Sequence, residues 1–169
     1  MHISKAAIAH TMKKLNLATL LIFSCSTAWA ADFDKGLAAA RAGDFATALA
    51  EWKPLAEQGD AVAQFYLGVM YANGEGVLED DKEAVKWFKL AAEQGYAKAQ
   101  YNLGLMYDNG EGVIQDNVYA HMWFNIAAAN GHENARSNKG IVVKRMTPQD
   151  ISKAQDLARE CVKKNYKDC

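Results

Sequence analysis

Few residues of this chain combine the types and the spacing that catalysis or metal binding requires. Beyond the first thirty positions the histidines are His121 and His132, with no partner at helical spacing and no clustered cysteines, so a metal site is not expected. The glycine-glutamate-glycine segments 74–76 and 110–112 superficially resemble phosphate loops, but no strand precedes them and no Lys-Ser pair follows. No nucleophile, base and acid can be assembled from spacing. The sequence therefore predicts a non-enzymatic protein without cofactor or metal.

The one covalent feature that the sequence does predict is a disulfide between two cysteines. Three cysteines occur in the chain, and Cys161 and Cys169 are the two that follow the first thirty residues. In an exported chain such a pair predicts one disulfide rather than two free thiols. A continuous helix would hold the two residues about 12 Å apart, whereas a bridge needs Cα atoms within about 7 Å. The helix must therefore end soon after Cys161, and the segment at Asn165-Tyr166 must turn back.

Residues 1–30 have the three-part layout of a secretory signal peptide. Lys13-Lys14 precede an apolar run over 15–23, and Ala28-Trp29-Ala30 supplies a small-x-small cleavage pattern. Cleavage after Ala30 would export the protein to the periplasm or the secreted space, and the apolar run is too short to span a bilayer. Translation could start at Met1 or at Met12.

Two alternatives for this leader stay open. Cys25 could be a lipidated cysteine, although Phe23 stands where such signals prefer a small residue. The leader could also be retained as an uncleaved anchor. Without it, residues 31–169 carry 16 basic and 20 acidic residues, a net charge of −4. This mild acidity disfavours nucleic acid and anionic membranes as partners.

A 36-residue repeat organises the rest of the chain. Residues 60–95 align with residues 96–131 without a gap, and 19 of the 36 positions are identical. Ala63, Leu67, Met70 and Tyr71 form a helical stripe, which predicts a first helix that Asn73-Gly74 ends. A tight loop follows, and an N-capping Asp80 with Glu83 starts a second helix. Each unit is therefore predicted to be an antiparallel helix pair.

A glycine inside each first helix predicts close packing of the pair. Gly68 costs about 1 kcal/mol relative to alanine in a helix, which makes sense if its missing side chain lets the second helix approach. We expect Ala84 and Ala91 to lie opposite Gly68, and the same set recurs as Gly104, Ala120 and Ala127.

Less regular units flank the two repeats. Residues 31–59 predict a shorter helix pair and residues 132–146 the first helix of a degenerate unit, in which Lys139 replaces the expected leucine. Residues 147–169 begin with Thr147-Pro148-Gln149-Asp150, a strong helix start. They predict a capping helix over about 148–165 and a tail.

The residue pattern of the two repeats resembles a known family. Ala-x-Ala-Gln-aromatic-x-Leu-Gly-x-Met-Tyr, then Asn-Gly-Glu-Gly-Val-x-x-Asp, then Ala-x-x-Trp-Phe-x-x-Ala-Ala, is similar to the Sel-one-like repeat, a relative of the tetratricopeptide repeat. The resemblance covers about residues 33–145, and the unit at 31–59 looks more like the tetratricopeptide form. It implies an all-α, right-handed superhelical solenoid of helix pairs that serves as an adaptor for other proteins, with no catalytic residues.

Three functions remain open from the sequence. The favoured one is a non-catalytic scaffold of the periplasm or secreted space that binds a peptide or protein segment on its concave face. The second is a peptidoglycan- or glycan-binding accessory protein, which would use exposed aromatic residues. The third is a cell-wall-related hydrolase, because some cysteine-rich members of the family have been linked to such activity. This chain, however, has one cysteine pair rather than one pair per repeat.

The binding surface is predicted on the first helices, two positions either side of the framework leucine and near the helix ends. The predicted groove residues are Phe33, Leu37, Phe65, Val69, Asn73, Tyr101, Leu105, Asp108, Asn109, Ile141 and Lys144. An aromatic-aliphatic strip edged by amides would suit an extended peptide or a helix. The alternative is that Phe65 and Tyr101 pack between neighbouring units, since aromatics there belong to the family pattern.

Overall fold

The structure, a computed structural model, describes residues 31–169, so the predicted signal peptide lies outside the described residues. This part of the chain forms eight α-helices and no strand. The helices are α1 (Phe33–Arg41), α2 (Phe45–Glu57), α3 (Ala61–Asn73), α4 (Asp81–Ala92), α5 (Ala97–Asn109), α6 (Asn117–Ala129), α7 (Glu133–Val143) and α8 (Pro148–Lys163). Within residues 31–169 no helix is both long and apolar enough to cross a membrane.

Each helix from α1 to α7 packs against its neighbours in the chain, whereas α8 packs against α6. Antiparallel pairs therefore stack in chain order, which is the arrangement of a helical solenoid. The all-α, helix-pair architecture expected from the sequence is confirmed.

Local chemistry sets the helix ends of both repeats. Gly74 caps the end of α3 and Gly110 that of α5, with φ of 69° and 79°, a left-handed conformation that glycine adopts without a steric cost. The carboxylates of Asp80 and Asp116 then accept backbone N–H bonds at the starts of α4 and α6. These stops and starts place the two helices of each pair in the same register in both repeats.

The glycine inside each first helix accommodates an aromatic ring. A Cβ atom added to Gly68 would lie 2.6 Å from ring carbons of Phe88, and one added to Gly104 would lie 2.5 Å from those of Phe124. Gly36 has the same relation to Trp52 in the first helix pair. The expected close approach is present, but the expected partner is wrong. The ring of Phe88 occupies the space left by the missing side chain, where the sequence predicted Ala84 and Ala91.

Buried glutamines join successive pairs. Gln64 on α3 donates to the carbonyl of Ala56 at 3.0 Å, and its own oxygen accepts from Gln94 at 2.8 Å. Gln100 repeats this on α5, with the carbonyl of Ala92 at 3.1 Å and Asn130 at 2.8 Å. Because a buried amide without partners is costly, the bonds to the carbonyls of Ala56 and Ala92 specify how one unit sits on the next.

Helix α8 covers the end of the stack. Thr147 and Asp150 form a capping box at its start, and Ala154, Ala158 and Cys161 are buried. The helix ends at Lys163, and residues 165, 166 and 168 have positive φ, so the tail turns back as the cysteine spacing requires. The Cα atoms of Cys161 and Cys169 are 5.5 Å apart and their sulfurs are within bonding distance.

Candidate partner-binding groove

Two cavities follow the first helices and share one residue. The first, about 330 Å³, lies between the pair α1–α2 and helix α3, and Leu37 and Val69 line it. The second, about 200 Å³, lies between the pair α3–α4 and helix α5, and Val69 and Leu105 line it. We call these two cavities together the first-helix groove. The two cavities adjoin at Val69, so the groove borders three units.

The floor of the groove is apolar. Trp52 and Met70 lie at the bottom of the first cavity, and Phe88 and Met106 lie at the bottom of the second. All four side chains are at most 4% exposed. A floor built from the packed core is rigid before any ligand arrives, which reduces the ordering cost of binding.

The rim of the groove is polar and repeats with the fold. Asn73 donates to Glu75 at 3.2 Å, and Asn109 donates to Glu111 at the same distance. Glu75 lines the first cavity; Asn73, Asn109 and Glu111 line the second. Each amide therefore holds a loop carboxylate at the mouth of a cavity, while Arg41 adds one positive charge to the first.

The groove thus brings together five of the residues singled out in the sequence. These are Leu37, Val69, Asn73, Leu105 and Asn109.

Three predicted aromatics pack elsewhere. The ring of Phe65 lies 5.9 Å from that of Phe88 and 5.3 Å from that of Tyr96. Phe33 contacts Trp52 and Tyr66, with ring centres 5.8 and 5.6 Å away. These contacts fill space between helices rather than line the groove.

Tyr101, which occupies the position of Phe65 in the next repeat, also packs between helices. Its ring stacks on His132 at 4.0 Å and lies 5.6 Å from Phe124, and its hydroxyl accepts a hydrogen bond from Asn138 at 3.0 Å. Phe65 and Tyr101 therefore have the interunit contacts of the packing alternative.

The remaining predicted residues lie at the α7 end of the molecule. Asp108 pairs with Arg145 and accepts, through its carbonyl, a bond of 2.7 Å from Gln115. Ile141 is 52% exposed and Lys144 is exposed just after α7. None of these three lines either cavity.

Sequence reasoning missed several lining residues. Tyr66 lines the first cavity, and Asn102, at the equivalent position one repeat later, lines the second. Comparing the two repeats for differences, rather than for identities, could have found this pair. The first cavity therefore presents an aromatic ring where the second presents an amide, so the two halves of the groove differ chemically.

Three titratable side chains outside the groove, those of His121, His132 and Glu51, are buried or partly buried. His121 is 2% exposed, and its burial, with Lys139 nearby, lowers its pKa. Burial and Lys98 lower the pKa of His132. Glu51 accepts from Lys35, which lowers the pKa of that carboxyl. Within residues 31–169 no three His, Cys, Asp or Glu side chains cluster as metal ligands.

A larger cavity of about 540 Å³ lies away from the groove. It is formed by the segments 95–98 and 130–134, before and at the starts of α5 and α7. Its lining is partly polar and partly apolar, and none of its residues belongs to the predicted groove.

The comparisons with known proteins agree with the fold. The family model of the Sel1 repeat matches residues 61–96 and 97–132. A protective antigen of uropathogenic Escherichia coli strains, whose crystal structure displays an SLR fold, is 32% identical over 78% of this chain, with a TM-score of 0.74. A Sel1 repeat protein from Oxalobacter formigenes is 33% identical over 66% of the chain, with a TM-score of 0.63. The match spans 29% of the first protein and 46% of the second. No curated protein matches the chain.

Proposed function

Because this chain is a Sel1-repeat protein with an open groove along its first helices, we propose that it is a non-catalytic scaffold for protein-protein interaction. The groove binds a peptide or a protein segment in the periplasm or the secreted space. The observation that carries the proposal is that two preformed apolar cavities of successive units adjoin at Val69. Proteins of the Sel1-repeat family generally act as such scaffolds.

The chemistry of the groove supports a peptide ligand. Its buried floor offers two sockets for apolar side chains, and the amides and carboxylates of its rim can pair with a peptide backbone or with polar side chains. The two sockets belong to successive units, so a segment longer than one socket is needed to fill both. This favours an extended chain or a helix over a small molecule.

The surroundings of the two histidines and of Glu51 support a non-catalytic role. His121 is buried in the helix pair, His132 stacks on Tyr101, and Glu51 pairs with Lys35. None of these groups lines the groove.

The proposed location rests on the leader and on the cysteine pair. A cleaved signal peptide would deliver residues 31–169 to a compartment in which a Cys161–Cys169 bridge is stable. Intact mass of the protein purified from the periplasm or medium should match a chain that begins at Ala31, less two hydrogen atoms. A precursor mass, or a lipid on Cys25, would contradict this location.

Substitutions in the groove test the proposed function. Val69→Asn places a polar group where both cavities meet, and Ile141→Asn is the matched control on an exposed position outside them. In a pull-down from periplasmic extract, Val69→Asn should lose the protein that the parent captures, whereas Ile141→Asn should retain it. Both variants should melt within a few degrees of the parent.

A second pair of variants separates groove from packing. Leu105→Ala should clearly weaken capture of the partner protein while lowering the free energy of unfolding only slightly. Tyr101→Ala should cost about 3–5 kcal/mol of folding free energy, because its ring packs between units. If Val69→Asn keeps the partner, or if the parent protein binds purified cell wall instead of a protein, the proposal is wrong.

A further inference from the structure

The interhelix loops of the two repeats expose an aliphatic side chain at the same position. Leu78 is 91% exposed and Ile114, at the equivalent position one repeat later, is 90% exposed. The next most exposed large apolar side chain of residues 31–169 is Ile141, at 52%. A single exposed leucine is ordinary on a protein surface. Here the exposure is nearly complete and occurs in both repeats.

The two loops are held in place by their backbones. The amide of Asp80 donates to the carbonyl of Tyr71 at 2.9 Å, and the amide of Asp116 donates to that of Tyr107 at 2.9 Å. A Cβ atom on Gly76, whose φ is 72°, would come within 2.9 Å of Phe45 at the start of α2. The loops therefore pack against neighbouring backbone, and ordering them for a partner costs little entropy.

Carboxylates alternate with the two aliphatic side chains along this edge. Glu79, Asp80 and Asp81 follow Leu78 directly. A Cβ atom on Gly112 would overlap the carbonyl of Asp81, so the loop that carries Ile114 packs on the start of α4.

The order along the edge is therefore Leu78, the carboxylates of 79–81, Ile114 and then Asp116. We call these residues, 78–81 and 114–116, the loop edge.

The loop edge carries a net negative charge. It contains four carboxylates and no cation, and the first cation after it is Lys82. Within residues 31–169 none of the four carboxylates forms an ion pair. Asp80 and Asp116 are held as helix N-caps, where the helix dipole offsets part of their charge. Glu79 has no such constraint and is exposed.

We propose that the loop edge is a second docking surface, for a protein segment in which basic residues alternate with apolar ones. Apolar side chains of the segment cover Leu78 and Ile114, and its Lys or Arg residues pair with the carboxylates between and beyond them. The same charge pattern repels an anionic membrane. This surface does not use Val69 or Leu105, so it is independent of the first-helix groove.

A peptide series tests the proposal with the whole protein. The probes are a synthetic peptide of alternating lysine and leucine, a glutamate-leucine version and a lysine-serine version. Binding is followed by backbone amide chemical shifts and by fluorescence anisotropy at two salt concentrations. One double variant, Leu78→Ser with Ile114→Ser, removes the two aliphatic side chains. A second, Glu79→Gln with Asp81→Asn, removes two of the carboxylates, and Ile141→Ser is the control. The altered side chains are exposed or lie at a helix start, and circular dichroism confirms that the variants fold.

The proposal expects the lysine-leucine peptide to shift residues 76–82 and 112–117. Its affinity should fall about tenfold or more in the double serine variant, because two apolar contacts are lost. Added salt or the Glu79 and Asp81 substitutions should also weaken it, whereas Ile141→Ser should not. The other two peptides should bind at least tenfold more weakly.

Any of four results would overturn the proposal. They are absent binding, equal binding of the glutamate-leucine peptide, shifts confined to the groove, or an affinity that the double serine variant leaves unchanged. Binding to phosphatidylcholine vesicles that depends on Leu78 and Ile114, without peptide binding, would assign the surface to lipid instead.

Discussion

Replacing Gly68 by alanine adds one methyl group at the point where the ring of Phe88 lies against α3. The added Cβ would be 2.6 Å from two ring carbons and 3.1 Å from a third. Carbon atoms normally pack at about 3.5–4.0 Å, so ring and helix must separate by about 1 Å. Phe88 is only 2% exposed and also packs against Phe65. The ring therefore cannot move away from α3 without disturbing its packing against Phe65.

Two opposing terms decide the result. Alanine is better than glycine inside a helix by about 1 kcal/mol, which by itself would stabilise the variant. Overpacking a buried site costs about 1–3 kcal/mol, and an overlap with a rigid buried ring belongs at the upper end of that range. We expect Gly68→Ala to lose about 2 kcal/mol, or about 8 °C in melting temperature for a domain of this size.

Gly140 provides the matched control. It lies inside α7, and a Cβ atom added there would meet nothing within 4 Å. Gly140→Ala should therefore gain the propensity term alone, about 0.5–1 kcal/mol. Gly104→Ala, whose Cβ would lie 2.5 Å from Phe124, should behave like Gly68→Ala.

Thermal and urea unfolding, followed by far-ultraviolet circular dichroism, measure these differences. A double-mutant cycle with Phe88→Leu identifies the cause, because Gly68→Ala should cost less once the ring is absent. If Gly68→Ala raises the melting temperature as Gly140→Ala does, the ring does not require the glycine and the packing argument fails.

Two further predictions concern the tail and the buried histidine. Cys169→Ser should lower stability by about 2 kcal/mol and speed amide exchange in the last turn of α8, because the Cys161 bridge would no longer restrict the unfolded chain; unchanged exchange would show that the tail is held by its other contacts. Burial, with Lys139 nearby, lowers the pKa of His121 below its ordinary 6.5. The unfolded chain therefore takes up a proton that the folded chain excludes, so stability should be complete above about pH 6.5 and fall below it. His121→Gln should flatten this fall in melts at several pH values, and an equally steep fall would assign the pH dependence to other groups.

The sequence by itself determined the repeat, the helix pairs and most of their ends. The repeat period and the ends of the helices are local properties of the sequence. Gly74 accepts a left-handed backbone, Asp80 caps the next helix, and Thr147 with Asp150 starts the last helix. Each depends on residues within a few positions in the chain. Local chemistry is readable without knowing how the helices pack.

Only the tertiary structure decided which side chains face the groove and which face a neighbouring unit. Val69 and Leu105 line the cavities, whereas Phe65 and Tyr101, four positions earlier on the same helices, pack between units. Residues one helical turn apart point in nearly the same direction, so the pattern along one helix cannot separate them. What separates them is the position of the next helix pair along the stack. That position is set by contacts between units, such as the bond from Gln94 to the carbonyl of Gly59, 35 positions earlier in the chain.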